Sequence, residues 1–537
     1  MNFRLRFTPT HLVIALISLA GMLAIIYSTH WGPWVFSDSV EYIVSARNLL
    51  AGNGLGYLAP SGDFVLYTLH PPLYPLFLSV LGLVGFDLVE TARWLNILLF
   101  GTTIFLSGAF TYTLFHSTWL ALSLSISLLT LPILVDVSSG AMSEPLFLFA
   151  GILAICLLIL FFSQRKGYLL ILSAISAGAA ALSRYPGIAV VVACLTALLL
   201  AGNFSWKQRL RQILEFCTIS LTPLTAWLIW IFYQSRTLAA RAYPMPNDLW
   251  ATTIDLRKKL METFWSWLPY QEYLPTYSYN HARNFLIIFL VLFLLMISLV
   301  ILKKYRFHAS SHGSPLEFTF TLMWMIFALG NIVLLAVTYI FTNPVPDINT
   351  RTLLPVQFGL ILVLLTLAGS VINEFHLPNF INLIVLGLVL IVSFPNAQTS
   401  WKMINQRHIF GAGYTSHVWQ SNLTLQFLRN LPAAVPVISN QSAGLLFLAN
   451  RPAYDLCSQP CDPSGQIRYG DDPTDPIQKI FREDGAALVF FYPACGVQYE
   501  QWYSSTLARL NLLTRDLRRA FSSCDGAIYF YPIAGQN

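Results

Sequence analysis

Charge is scarce in this sequence. Of 537 residues, only 10% are Asp, Glu, Lys or Arg, and the acids number 25. A soluble domain carries about a quarter charged residues. The shortage therefore excludes an ordinary soluble enzyme, a disordered chain and a nucleic-acid binder. No dense cluster of histidines and carboxylates stands out as a metal site. No internal repeat is visible either, which argues against the paired halves of many transporters. What is abundant is apolar: 56% of residues are hydrophobic and the mean hydropathy is +0.61. The chain is a polytopic membrane protein. Its net charge of +6 comes largely from short basic clusters between apolar runs, namely Arg4 with Arg6, Arg165 with Lys166, Lys207 with Arg209 and Arg211, and Lys303 with Lys304 and Arg306. Clusters so placed orient helices in a membrane.

Cysteine is also sparse, and its seven copies divide unevenly. Cys156, Cys194 and Cys217 lie in apolar runs, where a free thiol behaves as a small hydrophobe. Cys457, Cys461, Cys495 and Cys524 fall in the polar C-terminal part, an even number that suits two disulfides in an oxidising compartment. Four cysteines allow three pairings, with 457 to 461 and 495 to 524 the favoured one. The rival structural zinc site lacks a second short-spaced pair.

A spanning helix needs about 20 apolar residues. About eleven stretches qualify or nearly so: 11–29, 94–115, 118–135, 145–162, 168–183, 187–201, 213–233, 284–302, 318–341, 353–372 and 380–395. A further apolar stretch, Leu73 to Gly85, is short and follows His70-Pro71-Pro72. If it crossed, the later basic clusters would lie outside. If it stays at the interface, all four clusters share the cytoplasmic side, as the positive-inside rule requires. The second choice puts Asp38, Glu144, Arg184, Asp347 and Arg351 at the outer face. No small-x-small cleavage pattern precedes Trp31-Gly32-Pro33-Trp34, so the first span reads as a retained anchor. The chain is thus expected in the cell membrane, multi-pass, with a cytoplasmic N-terminus.

The first outer loop, 30–93, is too long for a connector. Asp38 to Leu50 has helical spacing, with Asp38 as cap or first-turn residue, and predicts an amphipathic helix on the membrane surface. A second outer loop, 234–283, carries Trp250, Trp265, Trp267, Tyr270, Tyr273, Tyr277 and Tyr279. These suit interfacial anchoring, or an aromatic groove for a lipid or sugar. From about 396 the hydropathy falls. Val435–Ser439, Ala486–Tyr492 and Ala527–Ile533 read as strands, and Asp475–Glu483 and Ser505–Phe521 as helices. The expected division is a membrane module, 1–395, and an extracytoplasmic α/β domain, 396–537, with no phosphate loop or catalytic motif.

Ionisable groups beside membrane segments are costly and therefore functional candidates. Two acids stand out. Asp38 lies just past the first span, and Glu144 opens a helix in Ser143-Glu144-Pro145. Each has a plain structural reading as well, as a cap or as a dipole-complementing carboxylate ahead of proline. His70, before two prolines, reads as structural or as a substrate contact.

Several motifs in order carry a resemblance: Asp38-Ser-Val-Glu-Tyr42, Ala46-Arg-Asn-Leu-Leu, Gly52-Asn-Gly-Leu-Gly56, His70-Pro-Pro-Leu-Tyr74-Pro75, Ser143-Glu144-Pro145, Leu182-Ser-Arg184-Tyr-Pro-Gly187 and Asp347-Ile-Asn-Thr-Arg351-Thr-Leu-Leu-Pro355. Over roughly 10–375 the sequence resembles the GT-C membrane glycosyltransferases, in the branch of bacterial relatives of protein O-mannosyltransferases and of the lipid A aminoarabinose transferase. The resemblance implies a mainly α, GT-C-type helical bundle with a long first outer loop. It also implies Asp38 as catalytic base or acceptor-orienting acid, and Glu144 at a second-loop acidic position where many relatives carry Asp. Arg184 and Arg351 would lie near a lipid phosphate, with Asp347, His70, Tyr42 and Tyr74 as substrate-binding candidates. Some relatives need a divalent metal and others do not.

The chemistry is coherent. A polyprenyl-phosphate sugar keeps its head group at the membrane surface, and transfer passes through an oxocarbenium-like state. One carboxylate deprotonates the acceptor hydroxyl, while arginines stabilise a phosphate leaving group. The expected partners are a polyprenyl-phosphate-linked sugar, a glycan, lipid or protein acceptor, and membrane lipid. A flippase or transporter, a polysaccharide polymerase or ligase, and a non-catalytic sensor scaffold are the competing readings.

Overall fold

The computed structural model describes residues 8–36, 38–201, 204–236, 243, 248–268, 316–343, 345–375, 378, 380–456, 485–492, 514 and 517–530. They divide into two compact units: 1–28, 68–74 and 93–406 form the first, and 29–67, 75–92 and 407–537 the second.

The first unit is helical throughout. In chain order its long elements are α1 Pro9–Ser28, α4 Leu88–Phe115 (whose first turn belongs to the second unit), α5 Thr118–Thr130, α6 Pro132–Ser138, α7 Glu144–Gln164, α8 Gly167–Ser183, α9 Ile188–Leu200, α10 Trp206–Ser235, α11 Leu249–Ser266, α12 Leu316–Phe341, α13 Leu354–Glu374 and α14 Phe380–Phe410. Among the described residues seven helices are long and apolar enough to cross a membrane, or eight if the bent pair α5–α6 is one span. The stretches expected at 168–183 and 187–201 are helical but fall short of that length. The stretch 284–302 lies outside the described residues.

The single span expected over 118–135 breaks at Leu131, with a 60° bend between α5 and α6. The cause is Pro132, which has no N–H to continue the ladder and forces extended backbone onto the residue before it, here φ −67°, ψ 109° at Leu131.

Small residues and back-bonded hydroxyls let these helices approach closely. Ser18 Oγ donates to the Gly101 carbonyl at 2.5 Å, joining α1 to α4. In the α7–α8 hairpin Ser173 Oγ donates to the Ala154 carbonyl at 2.7 Å. A buried aromatic cluster ties α7, α12 and α13, with Phe147 on Phe327 at 6.0 Å and Trp324 edge-on to Phe327 and Phe358 at 5.4 and 5.6 Å. Such pairs add roughly 1 kcal/mol each beyond simple burial.

The second unit joins first-loop and C-terminal chain. Its elements are α2 Asp38–Leu50, the hairpin of β1 Gly56–Leu58 and β2 Phe64–Leu66, and α3 Leu73–Leu83 from its third residue onward. After 407 come α15 His417–Gln420, α16 Leu423–Arg429, α17 Ser442–Ala449 and five strands, β3 Val437–Ser439, β4 Tyr454–Asp455, β5 Ala487–Phe491, β6 Arg518–Ser523 and β7 Gly526–Phe530. Their order is β4-β3-β5-β7-β6, parallel across the first three and antiparallel after them. The helix expected over Asp38–Leu50 is present at those bounds. At 11 residues, α3 rises only about 16 Å, half a bilayer core, so it cannot cross alone.

The three expected strands are present: those at 435–439 and 486–492 are trimmed to 437–439 and 487–491, and the third starts at Gly526, with 531–533 outside the described residues. The helix expected over Ser505–Phe521 is wrong at its end, because Arg518–Ser523 is strand, paired with β7 through the two-residue turn Cys524–Asp525. Pairing with a buried neighbour overrides local propensity there. The helix expected over Asp475–Glu483 lies outside the described residues. Asp525 locks the turn to α16, accepting hydrogen bonds from the amides of Leu423 and Thr424 at 2.6 and 3.1 Å. Cys524 is disulfide-bonded, and Cys457, Cys461 and Cys495 lie outside the described residues. Cys156, Cys194 and Cys217 are free, as expected of thiols in apolar runs.

Candidate functional site

At one end of the α7–α8 hairpin, three ionised side chains far apart in sequence meet. Glu144, the first residue of α7, has a side chain only 2% exposed, and its Oε1 lies 2.6 Å from Arg184 Nη1 and 3.5 Å from Arg351 Nε. The arginine side chains are 17% and 28% exposed. A buried carboxylate is tolerated only when paired, and one arginine would neutralise it. Here two arginines share it, and both are more exposed than the carboxylate. Planar guanidiniums so held are suited to a phosphate, to which each can donate two parallel hydrogen bonds.

Each member is aimed by local structure. Arg184 stands between α8 and α9 in extended conformation, φ −152°, ψ 139°, its amide bonded to the Ala180 carbonyl. The chain then turns through Tyr185–Gly187, closed by the Gly187 amide on the Arg184 carbonyl at 2.8 Å. Position 187 must be glycine, because a Cβ there would sit 2.3 Å from the Ala180 backbone. Arg351 stands on a side-chain-built turn, in which Asn349 Oδ1 accepts from the amides of Arg351 and Thr352, both at 3.0 Å. Thr352 Oγ1 accepts from the Asn349 amide at 3.0 Å. Glu144 follows Ser143, whose hydroxyl makes no cap to α7 and instead accepts from Arg184 Nη1 at 3.5 Å.

Asp347 is exposed and joins no ion pair among the described residues. His70 is half-buried and Tyr74 fully buried at the start of α3. In the second unit, Asp38 occupies the first turn of α2 and is half-buried. Tyr42, 1% exposed, packs edge-on against Tyr67 at 6.3 Å. One turn beyond Asp38 and on the same face, Glu41 is pushed up to about 7 by burial, reinforced by the negative charge of Asp38. Tyr57 on β1 is raised by burial, then by Glu41 and Asp455.

Sequence reading singled out Glu144, Arg184 and Arg351 separately. It missed Asn96, whose amide donates to backbone carbonyls, and Asn349, whose Oδ1 accepts from two backbone amides and from the Thr352 hydroxyl. The sole signal for Asn96 was an amide in the apolar run Trp94-Leu-Asn96-Ile. Among the described residues no group of three or more His, Cys, Asp or Glu side chains is placed to hold a metal ion.

The fold is similar to that of ArnT from Cupriavidus metallidurans, solved bound to undecaprenyl phosphate, with a TM-score of 0.54 and 14% identity over 98% of this chain and 99% of that one. It is also similar to the apo Archaeoglobus fulgidus oligosaccharyltransferase, with a TM-score of 0.51 and 11% identity over 96% of this chain and 80% of that one. Both are GT-C glycosyltransferases, so the GT-C type of membrane fold expected from the sequence is the one observed. No family model matches the sequence, and neither does any curated protein.

Proposed function

We propose that this protein is a membrane glycosyltransferase that moves a sugar from a polyprenyl-phosphate donor to a hydroxyl of a cell-envelope glycan, lipid or protein, at the outer membrane face. The observation that carries this reading is the buried Glu144 holding two partly exposed arginines. A fold shared with a protein solved with undecaprenyl phosphate bound supports it.

In this reading Arg184 and Arg351 grip the donor phosphate. As the bond between the sugar's anomeric carbon and the phosphate oxygen breaks, charge accumulates on that phosphate, and fixed cations stabilise it without supplying a proton. Asp38 takes the proton from the acceptor hydroxyl as its oxygen attacks the anomeric carbon. A single displacement inverts the anomeric centre. Glu144 keeps the arginines extended and spaced and does not itself transfer a proton.

The test is transfer by the purified full-length protein from undecaprenyl-phosphate-linked sugars, read as release of undecaprenyl phosphate. Asp38→Asn keeps the shape but not the base and should lower turnover by roughly 10²- to 10⁴-fold. Unimpaired turnover would remove Asp38 from the mechanism. Arg351→Gln should weaken undecaprenyl phosphate binding about tenfold, the value of one hydrogen bond to a charged group. Binding equal to wild type would sink the phosphate assignment.

A further inference from the structure

Glu144 is delivered to the cluster by residues 139–143, the turn that joins α6 to α7. That turn is tied from outside by Asn96 of α4, which is fully buried. Its Nδ2 donates to two carbonyls of the turn, Gly140 at 2.6 Å and Met142 at 3.0 Å. Both amide protons are thus used on one short segment, while Oδ1 is buried and accepts nothing from the described residues. A neutral amide left half-satisfied in an apolar helix is costly, so this residue is poorly explained by stability alone. A second tie is weaker, with Ser28 Oγ 3.1 Å from Ser139 Oγ.

The turn is also where the arginine is read. The same Arg184 nitrogen meets Glu144 Oε1 at 2.6 Å and Ser143 Oγ at 3.5 Å. A displacement of the turn therefore moves these two contacts of Arg184 together, and the Arg351 contact with them. Arginine side chains are long and rotamer-rich, so their spacing is set by the carboxylate they share. Only a side chain with two N–H groups on one atom and no charge can hold both carbonyls without adding a third ion next to the cluster.

We propose that Asn96 is a positioning residue for the phosphate site, fixing through the 140 and 142 carbonyls where the Glu144 carboxylate stands and hence the spacing of Arg184 and Arg351. This rests on the reading of that cluster as a phosphate site. The residue itself touches no substrate.

The experiment is a double-mutant cycle on the full-length protein in detergent, with undecaprenyl phosphate as the probe and calorimetric titration as the readout. Asn96→Ala should weaken binding about tenfold in the wild-type background, the loss expected for two neutral hydrogen bonds acting indirectly. In the Glu144→Gln background the same change should have little further effect, because the carboxylate it positions is gone. Asn96→Ser keeps one donor near the same place and should fall between; if Asn96→Ala does not fold, Asn96→Ser carries the same comparison. Wild-type affinity in Asn96→Ala, or an equal loss in both backgrounds, overturns the inference. If wild-type protein fails to bind undecaprenyl phosphate, or Glu144→Gln binds it unchanged, the phosphate reading itself fails and takes this inference with it. That result appears without any Asn96 variant.

Discussion

The two ends of the α7–α8 hairpin both carry arginine, and the two arginines live differently. Arg165, at the turn between the helices, adopts the left-handed conformation with φ 58°. It is exposed, with its guanidinium 3.8 Å from the centre of the Phe204 ring. Beside it, Lys166 lies over Tyr168 at 5.9 Å. No carboxylate among the described residues pairs with either. At the opposite end Arg184 is drawn onto a buried carboxylate that it shares with Arg351. A cation against an aromatic face at the surface is an anchor, worth about 0.5–1 kcal/mol. Two cations on one buried anion form a fixed cluster. The partner, more than the residue type, decides which role an arginine takes.

The comparison breaks most sharply at Glu144. Glu144→Leu leaves two guanidiniums without their anion next to new apolar surface, and removing one partner of a buried pair costs about 3–5 kcal/mol. Partial exposure of the arginines puts the expectation near the lower bound, read as a fall in thermal midpoint together with lost undecaprenyl phosphate binding. A midpoint equal to wild type would mean that the carboxylate holds nothing.

Next in size is Gly187→Ala. Its Cβ would press on Ala180 backbone rather than on a side chain that can turn away, and overpacking of this kind costs about 1–3 kcal/mol. The shift propagates to Arg184, three residues earlier, so phosphate affinity should fall with stability. Retained affinity would separate the turn from the site.

A smaller effect concerns Glu41. Burial and Asp38 raise its carboxyl from 4.5 to about 7, so the folded chain holds a proton that the unfolded chain releases. Stability from this group is present below pH 4.5, falls as pH rises toward 7, and stays lost above it. Glu41→Gln keeps the neutral form and should flatten that decline in thermal midpoints measured at pH 5, 6 and 8. An unchanged slope would show that Glu41 ionises freely. The least effect is expected at the other end of the hairpin, where Arg165→Ala should move stability by no more than about 0.5 kcal/mol and leave phosphate binding unaltered. A loss of binding there would erase the contrast between the two ends.

Much of this was legible in the chain itself. Apolar runs located the spanning helices to within a few residues in most cases, because a bilayer demands continuous hydrophobicity over a known length. Asp38–Leu50 was legible as a helix from its spacing. Glu144, Arg184 and Arg351 were each conspicuous because charge beside apolar sequence is rare. Other features were hidden for physical reasons. Pro132 was visible, but the 60° break it causes depends on how the freed backbone is packed. Arg518–Ser523 carries no strong strand signal and becomes one through pairing with β7. Asn96 and Asn349 bond to backbone atoms, and a sequence records side chains without recording which carbonyls they will face.

What the sequence alone determined is the solvent each segment needs: which helices are apolar enough for lipid, which loops stay in water, and which few charges are costly enough to matter. Composition decides this because transfer between water and hydrocarbon depends on the residues transferred, nearly regardless of their neighbours. The tertiary structure alone decided that residues 144, 184 and 351 share one charge cluster. Ion pairing weakens steeply with distance and exposure, and distances between residues some 40 and 200 positions apart exist only once the helices have packed.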